Sequence, residues 1–407
     1  MALAGFGNLP VGIPGVPVPF QFHVPDNDIR HMNSLAQTAD IGVPSWYNTH
    51  DDNNQFGVSR DWLINASNTW QHDFDWRAHE NHYNSFPNFK INITTSDHEL
   101  HNLHFAALFS AKPDAIPVIF MHGWPGSWLE FVPMLDLLVA KYTPATLPYH
   151  VIVPSIPDYG LSERVDPADE LTMPIASEAM NSLMKALGFK SYVAQGGDVG
   201  TFLAETMCGV YDECKAFHLN LYFLTPEQSA QVANISVTAA EEAEIATANA
   251  WAKTGSAYAY EHGTRPSTIA LALMANPLSM LAWMGEKFIE WSDKRDPLSL
   301  DTILAMVSFY WYTESFGRAI WSYRSLTSVI GAGLPPPPTS YVKPFGFSSF
   351  PVEISALPRE WAEAIFPNLV FYKSHDVGGH FAALEEPVAF LSDMEEFLAI
   401  VKTKVAF

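Results

Sequence analysis

The 407-residue sequence holds only two cysteines, Cys208 and Cys214. That is too few for a disulfide framework, so both are expected as reduced thiols near the core. Basic residues are also scarce, with 22 Lys and Arg against 44 Asp and Glu and a formal net charge of −22 at pH 7. Such a balance argues against a general affinity for nucleic acid or anionic membrane, and solubility accounts for it. No uninterrupted apolar run reaches across a bilayer. The nearest candidate, Thr268 to Gly285, is broken by Asn276-Pro277, and it is expected as two buried helices joined at the proline. The N-terminus lacks a basic segment and soon meets several prolines, so neither a signal peptide nor a stable membrane anchor is expected, and a cytoplasmic location is. Without secretion, the sequons at Asn65, Asn92 and Asn234 carry no weight. There is no internal repeat and no low-complexity block.

What is present is a globular composition, 48% hydrophobic and 16% charged, in a chain long enough for a large domain with accessories. Residues 1 to about 100 read as an aromatic-rich, helix-like arm, with Trp62, Trp70, Phe74, Trp76 and Phe86 available to staple it to a core. From 101 to about 225 the pattern is α/β. Ala115–Met121, Tyr149–Val153, Ser191–Ala194 and Ala216–Leu219 are short apolar runs rich in β-branched or aromatic residues. Helix-like stretches such as Glu130–Lys141 and Ile175–Leu187 separate them. Alternation of this kind implies a parallel sheet covered on both faces. Residues 226–335 are mostly helix-like and read as a cap over the strand C-terminal edge, where open α/β sheets place their sites. It ends in the stiff Leu334–Thr339 polyproline link. The segment 336–407 returns to strand character at Leu369–Tyr372 and closes with a helix through Met394–Val401, the second part of the core.

The chemistry gathers at three places. In the run from Ser191 to Gly200, SYVAQGGDVG, a buried strand enters a glycine turn and a helix follows, which is the context of a nucleophile elbow with Asp198 at its tip. A serine there would attack acyl carbon. A carboxylate can attack saturated carbon and become an alkyl ester, so the substrate needs a leaving group such as an epoxide oxygen or a halide. After the strand Ala115–Met121 comes HGWPGS, His122 to Ser127, a turn able to aim backbone N–H groups at an oxyanion. The expected donors are the amides of Trp124 and Val199. Late in the chain, Val377–Pro387 (VGGHFAALEEP) lets a glycine loop project His380 as a general base, with His375 as the nearest competitor. Its orienting carboxylate is one of Glu353, Asp376, Glu385 and Glu386, and a loop position upstream of the final strand points to Glu353.

Together these motifs resemble the epoxide hydrolases of the microsomal class, most closely the soluble fungal members. The likeness spans nearly the whole chain. It includes Pro19–Pro25 (PFQFHVP) and Phe74-Asp-Trp-Arg77 in the arm. The resemblance implies an α/β-hydrolase fold with a mostly parallel central sheet, a helical cap and an N-terminal wrapping arm. It implies Asp198 as nucleophile, Glu353 as the acid of the charge pair and His380 as base. It further assigns two cap tyrosines, Tyr258 and Tyr323, as donors to the opening epoxide oxygen, with Tyr260 the alternative to Tyr258. No cofactor or metal is implied. The expected partner is a small hydrophobic epoxide, and the resemblance is compatible with a homodimer formed through arm and cap. Two positions depart from the family pattern. Val199 stands where many relatives carry Trp or Ile, and Asp158, where Gly is common, faces either the pocket or solvent.

Two rival readings share part of this pattern. A haloalkane-type dehalogenase also uses an Asp nucleophile, but halide release calls for N–H donors rather than phenols. A catalytically silent hydrolase fold that binds a ligand would have lost the nucleophile, base or acid, and all three candidates are present.

Overall fold

The computed structural model describes residues 3, 5–50, 56–327 and 342–407. The Leu334–Thr339 link lies outside the described residues. Among the described residues ten strands lie in chain order: β1 (Val18–Phe20), β2 (Asn88–Thr94), β3 (Leu100–Leu108), β4 (Ile116–Met121), β5 (Tyr149–Pro154), β6 (Glu163–Val165), β7 (Tyr192–Gly196), β8 (Cys214–Leu219), β9 (Phe345–Ser349) and β10 (Leu369–Ser374). They form one sheet in the order β1-β2-β3-β5-β4-β7-β8-β9-β10, with β6 against β3. Every pair from β5 through β10 along that order is parallel, and β1, β2 and β3 join antiparallel at one edge.

The parallel half follows from the apolar runs. All residues of β4 and β7 are buried, so both sheet faces need covering. The helices Val132–Lys141, Met173–Ala186 and Val199–Val210 are the crossovers that cover them. Each parallel strand therefore ends at the same edge, and the chain leaves β4 into His122, β7 into Asp198, β9 toward Glu353 and β10 toward His380.

The antiparallel edge differs from the helix-like arm read from the sequence. Helices Arg60–His72 and Trp76–Tyr83 are present, but β1 and β2 also lie within the first 100 residues, and β3 begins at Leu100. In β2 the apolar side chains of Phe89, Ile91 and Ile93 alternate with Lys90, Asn92 and Thr94, the period of a strand with one buried face. The two arm segments that carry the family likeness are tied to each other. The Val24 amide donates to Glu80 Oε1 at 2.6 Å, and Arg77 donates to the Val24 carbonyl at 2.5 Å.

Eight helices lie between β8 and β9 among the described residues, from Pro226–Val232 to Ser322–Thr327. Pro266–Met274 and Pro277–Glu290 meet at an angle of 117°, the break expected at Asn276-Pro277. No single helix among the described residues is long and apolar enough to cross a membrane. The arm grips this layer through its aromatics. Trp70 donates its indole N–H to Ser308 Oγ at 3.0 Å, and a side chain at Gly285 would stand 2.5 Å from the Trp62 ring.

The cysteine expectation is corrected. Cys208, on the helix leading into β8, and Cys214, the first residue of β8, are buried and joined as a disulfide with Cα atoms 4.8 Å apart. The short turn between helix and strand brings the two backbones within bridging distance.

Candidate active site

The turn after β7 explains why the sequence reads GGDVG. Asp198 adopts φ 50°, ψ −123°, a conformation that costs a non-glycine residue energy and is typically retained where it aims a side chain. The glycines around it are steric requirements. A Cβ on Gly196 would lie 2.0 Å from the Gly200 carbonyl oxygen, and one on Gly200 would lie 2.0 Å from the Met121 carbonyl oxygen. The turn therefore presses against the end of β4, and the Asp198 carboxylate is carried over Gly123, whose own Cβ would fall 2.0 Å from Asp198 Oδ1.

Around this carboxylate stand most of the residues predicted from sequence. The Trp124 amide donates to Asp198 Oδ1 at 2.8 Å. Val199 is buried and opens the helix Val199–Val210, so its amide is one of those with no intrahelical acceptor. His380 Nε2 lies 3.5 Å from Asp198 Oδ2, and His380 Nδ1 lies 2.6 Å from Glu353 Oε1. Glu353 Oε1 also accepts from the Ile354 amide at 2.7 Å, which fixes the carboxylate that fixes the ring. Burial opposes charge on His380, but the Glu353 and Asp198 carboxylates outweigh it and hold its pKa well above the usual range. The two flanking carboxylates thus favour the protonated imidazole.

The competitors are engaged elsewhere. His375 bonds Asp393 at 2.6 Å. Glu385 accepts from the amides of Asp293 and Phe381 at 2.8 and 2.9 Å, and burial pushes its pKa up to about 7. Tyr260 is 48% exposed, whereas Tyr258 and Tyr323 are buried with their hydroxyls 3.4 Å apart. Burial first, then neighbouring negative charge including that of Asp198, holds both phenols well above the ordinary tyrosine pKa, so both remain donors.

The Trp124 ring stacks on Tyr258 at 5.2 Å and meets Tyr323 edge-on at 5.9 Å. Trp291 touches Tyr258 at 5.3 Å and His380 at 5.0 Å. Two indoles thus bridge the tyrosine pair and the carboxylate–imidazole group.

Neither expectation for Asp158 holds. It is buried and does not face solvent, and its carboxylate is taken up by Arg164, with N–H donors at 3.0 and 2.8 Å from the backbone and the side chain. It braces the loop before β6. His122, inside the glycine turn, was not singled out as a residue of its own. Its Nε2 accepts from the Ile156 amide at 3.2 Å, and burial drives its pKa down to about 4, so a neutral ring locks the turn to the neighbouring loop.

A parallel sheet with a carboxylate on a strained strand–helix turn, a paired histidine after the last strand and helices inserted before the penultimate one defines an α/β-hydrolase. The comparisons agree. A model described as "alpha/beta hydrolase fold" matches residues 116–280, and one described as "Epoxide hydrolase N terminus" matches residues 17–131. A putative epoxide hydrolase of Dothistroma septosporum is 39% identical over 98% of this chain and 93% of its own. Epoxide hydrolase 1 of Oryctolagus cuniculus is 28% identical over 98% and 92%. The solved structure of Aspergillus niger epoxide hydrolase superposes with a TM-score of 0.89 at 40% identity, covering 97% of this chain and 99% of that one. This chain belongs to the epoxide hydrolase family, and the microsomal-class resemblance read from its motifs stands.

Proposed function

We propose that this enzyme opens a small hydrophobic epoxide to a vicinal diol through a covalent ester on Asp198. The observation that carries the reading is one cluster holding a carboxylate nucleophile, an imidazole 3.5 Å from it and a buried pair of phenols. Asp198 attacks the less hindered ring carbon. The C–O bond breaks, and the oxygen takes a proton from Tyr258 or Tyr323. Esterification removes the Asp198 charge, so the His380 proton loses one of its two anchors and returns to the tyrosinate. Neutral His380 then takes a proton from water as that water attacks the ester carbonyl. The amides of Trp124 and Val199 hold the resulting oxyanion. Its collapse expels the diol alkoxide, which is protonated by His380. The carboxylic acid left at Asp198 then passes its proton to His380, and the starting state is restored. No metal or organic cofactor enters this scheme. A cytoplasmic location remains part of the proposal, as does a homodimer, the latter on resemblance alone.

A single turnover in ¹⁸O-labelled water tests the scheme. The diol should contain no label, and one labelled oxygen should remain in Asp198, read by peptide mass. Label delivered to the diol in that turnover would rule out the ester.

The phenol pair separates this reading from a dehalogenase. Removing one preorganised donor costs roughly 10²–10³-fold in rate. With the hydroxyls 3.4 Å apart, each can partly cover for the other. Tyr258→Phe and Tyr323→Phe should each slow alkylation of Asp198, and the double variant should slow it more than either. An epoxide panel followed by stopped-flow tryptophan fluorescence reads this directly. Halide release from alkyl halides that survives the double variant would favour the rival.

A further inference from the structure

The proposed reaction needs a water beside the ester, and the structure contains a compartment of that size. A small cavity of about 20 Å³ is lined in part by Asp198. That is room for one water and far too little for an epoxide. Its polar lining consists of His122, Glu130, Asp198, Asn220 and His380. His122 is already committed to the Ile156 amide. Asn220 spends its carbonyl oxygen on Gln195 at 3.0 Å, which leaves its NH₂ to donate. Gly197 admits it, since a Cβ there would come within 2.8 Å of the Asn220 amide.

Glu130 is the unexpected member. It lies on the short 3₁₀ turn Trp128–Phe131, immediately after the glycine motif. Its carboxyl occupies the space over Gly126, where a Cβ would fall 1.4 Å from Glu130 Oε1, so the glycine is what lets the acid reach inward. A largely enclosed carboxyl is costly unless something polar meets it. Burial lifts its pKa to about 8. The His380 charge opposes that rise, and the Asp198 charge adds to it. In either protonation state a Glu130 carboxyl oxygen can accept a hydrogen from a water in this cavity.

We infer that Glu130 is a further catalytic residue, which accepts one hydrogen of the hydrolytic water while His380 accepts the other and Asn220 donates to its oxygen. The proton that leaves goes to His380, the oxygen lone pair forms the bond to the ester carbon, and Glu130 ends unchanged. This inference rests on the proposed ester mechanism and acts only in its second half.

The test follows both half-reactions in the same protein, with rapid-quench mass spectrometry of the Asp198 peptide and stopped-flow fluorescence. Glu130→Gln keeps the shape and a neutral acceptor, and should slow ester hydrolysis about 10-fold. Glu130→Leu removes the acceptor and should slow it about 100-fold. Alkylation should stay within about threefold of wild type in both. The ester should then accumulate at steady state. Intact alkylation also shows that each variant is folded, and the Gln variant alone decides if the Leu variant fails to fold. Hydrolysis at the wild-type rate in Glu130→Gln, or equal slowing of both steps, overturns the role of Glu130 and leaves the ester mechanism standing. Absence of any alkylated Asp198 in the wild-type enzyme overturns both.

Discussion

Replacing Asp198 with alanine should lower diol formation by about four orders of magnitude or more, with the fold retained. The loss is large because in the proposed scheme this residue supplies the bond-forming electron pair. Glu353 is bound to the far side of His380 at 2.6 Å, and the Glu130 carboxyl lines the small cavity rather than the tyrosine pair. The variant also carries a signature that simple inactivation would not. His380 is held charged by two carboxylates against the effect of burial. Removing one of them should lower its pKa, and the imidazole should titrate at a lower pH than in wild type when followed by ¹⁵N chemical shifts. An unchanged titration would mean that Asp198 does not share the imidazolium. Residual activity within 100-fold of wild type would mean that another group is the nucleophile.

His380→Gln should separate the two halves of the reaction. Alkylation needs the carboxylate and the phenols, both of which remain, so one equivalent of epoxide should add to Asp198 in a rapid burst. Hydrolysis loses its base, a contribution of typically 10²–10⁴-fold, so turnover should fall by that factor with the ester persisting. Intact mass should rise by the mass of one epoxide. The wild type should show a weaker version of this in acid. In the ester His380 acts only when neutral, so hydrolysis should rise with pH through its pKa in that state and level off above it. Ester trapped in wild-type enzyme should therefore increase as pH falls. A variant that shows neither burst nor mass gain would place His380 in the first step instead.

Much of this site was legible in the sequence because its parts are local. The glycines around Asp198 are demanded by contacts under 3 Å and cannot vary, so the elbow announces itself. His380 and Trp124 sit on similar glycine turns at strand ends. Tyr258 and Tyr323 were not legible from pattern, because a buried phenol on a cap helix looks like core packing, and only the family resemblance picked them out. Glu130 was hidden for a related reason. It reads as the polar first residue of a helix, and only the fold reveals that it points inward over Gly126. The strand β9, FGFSS, was missed because glycine and serine give no hydrophobic period, although all five residues are buried. The antiparallel edge was missed because its strands are interleaved with the aromatic helices of the arm. Asp158 was misjudged because nothing in the sequence shows that Arg164, on β6, folds back onto its carboxylate. The disulfide was missed because cysteine number, rather than the tight turn between the two residues, was given the weight.

One contact bears on how the enzyme can be rebuilt. The backbone of Trp124 holds the Asp198 carboxylate, and its ring carries Tyr258. Exchanging the helical layer for that of a distant relative therefore exchanges one side of a joint whose other side is fixed to the sheet. Chimeras that keep a ring-stacking tyrosine over this indole should inherit the donor's substrate range. Those that lose it should yield a folded protein whose two catalytic halves are no longer in register.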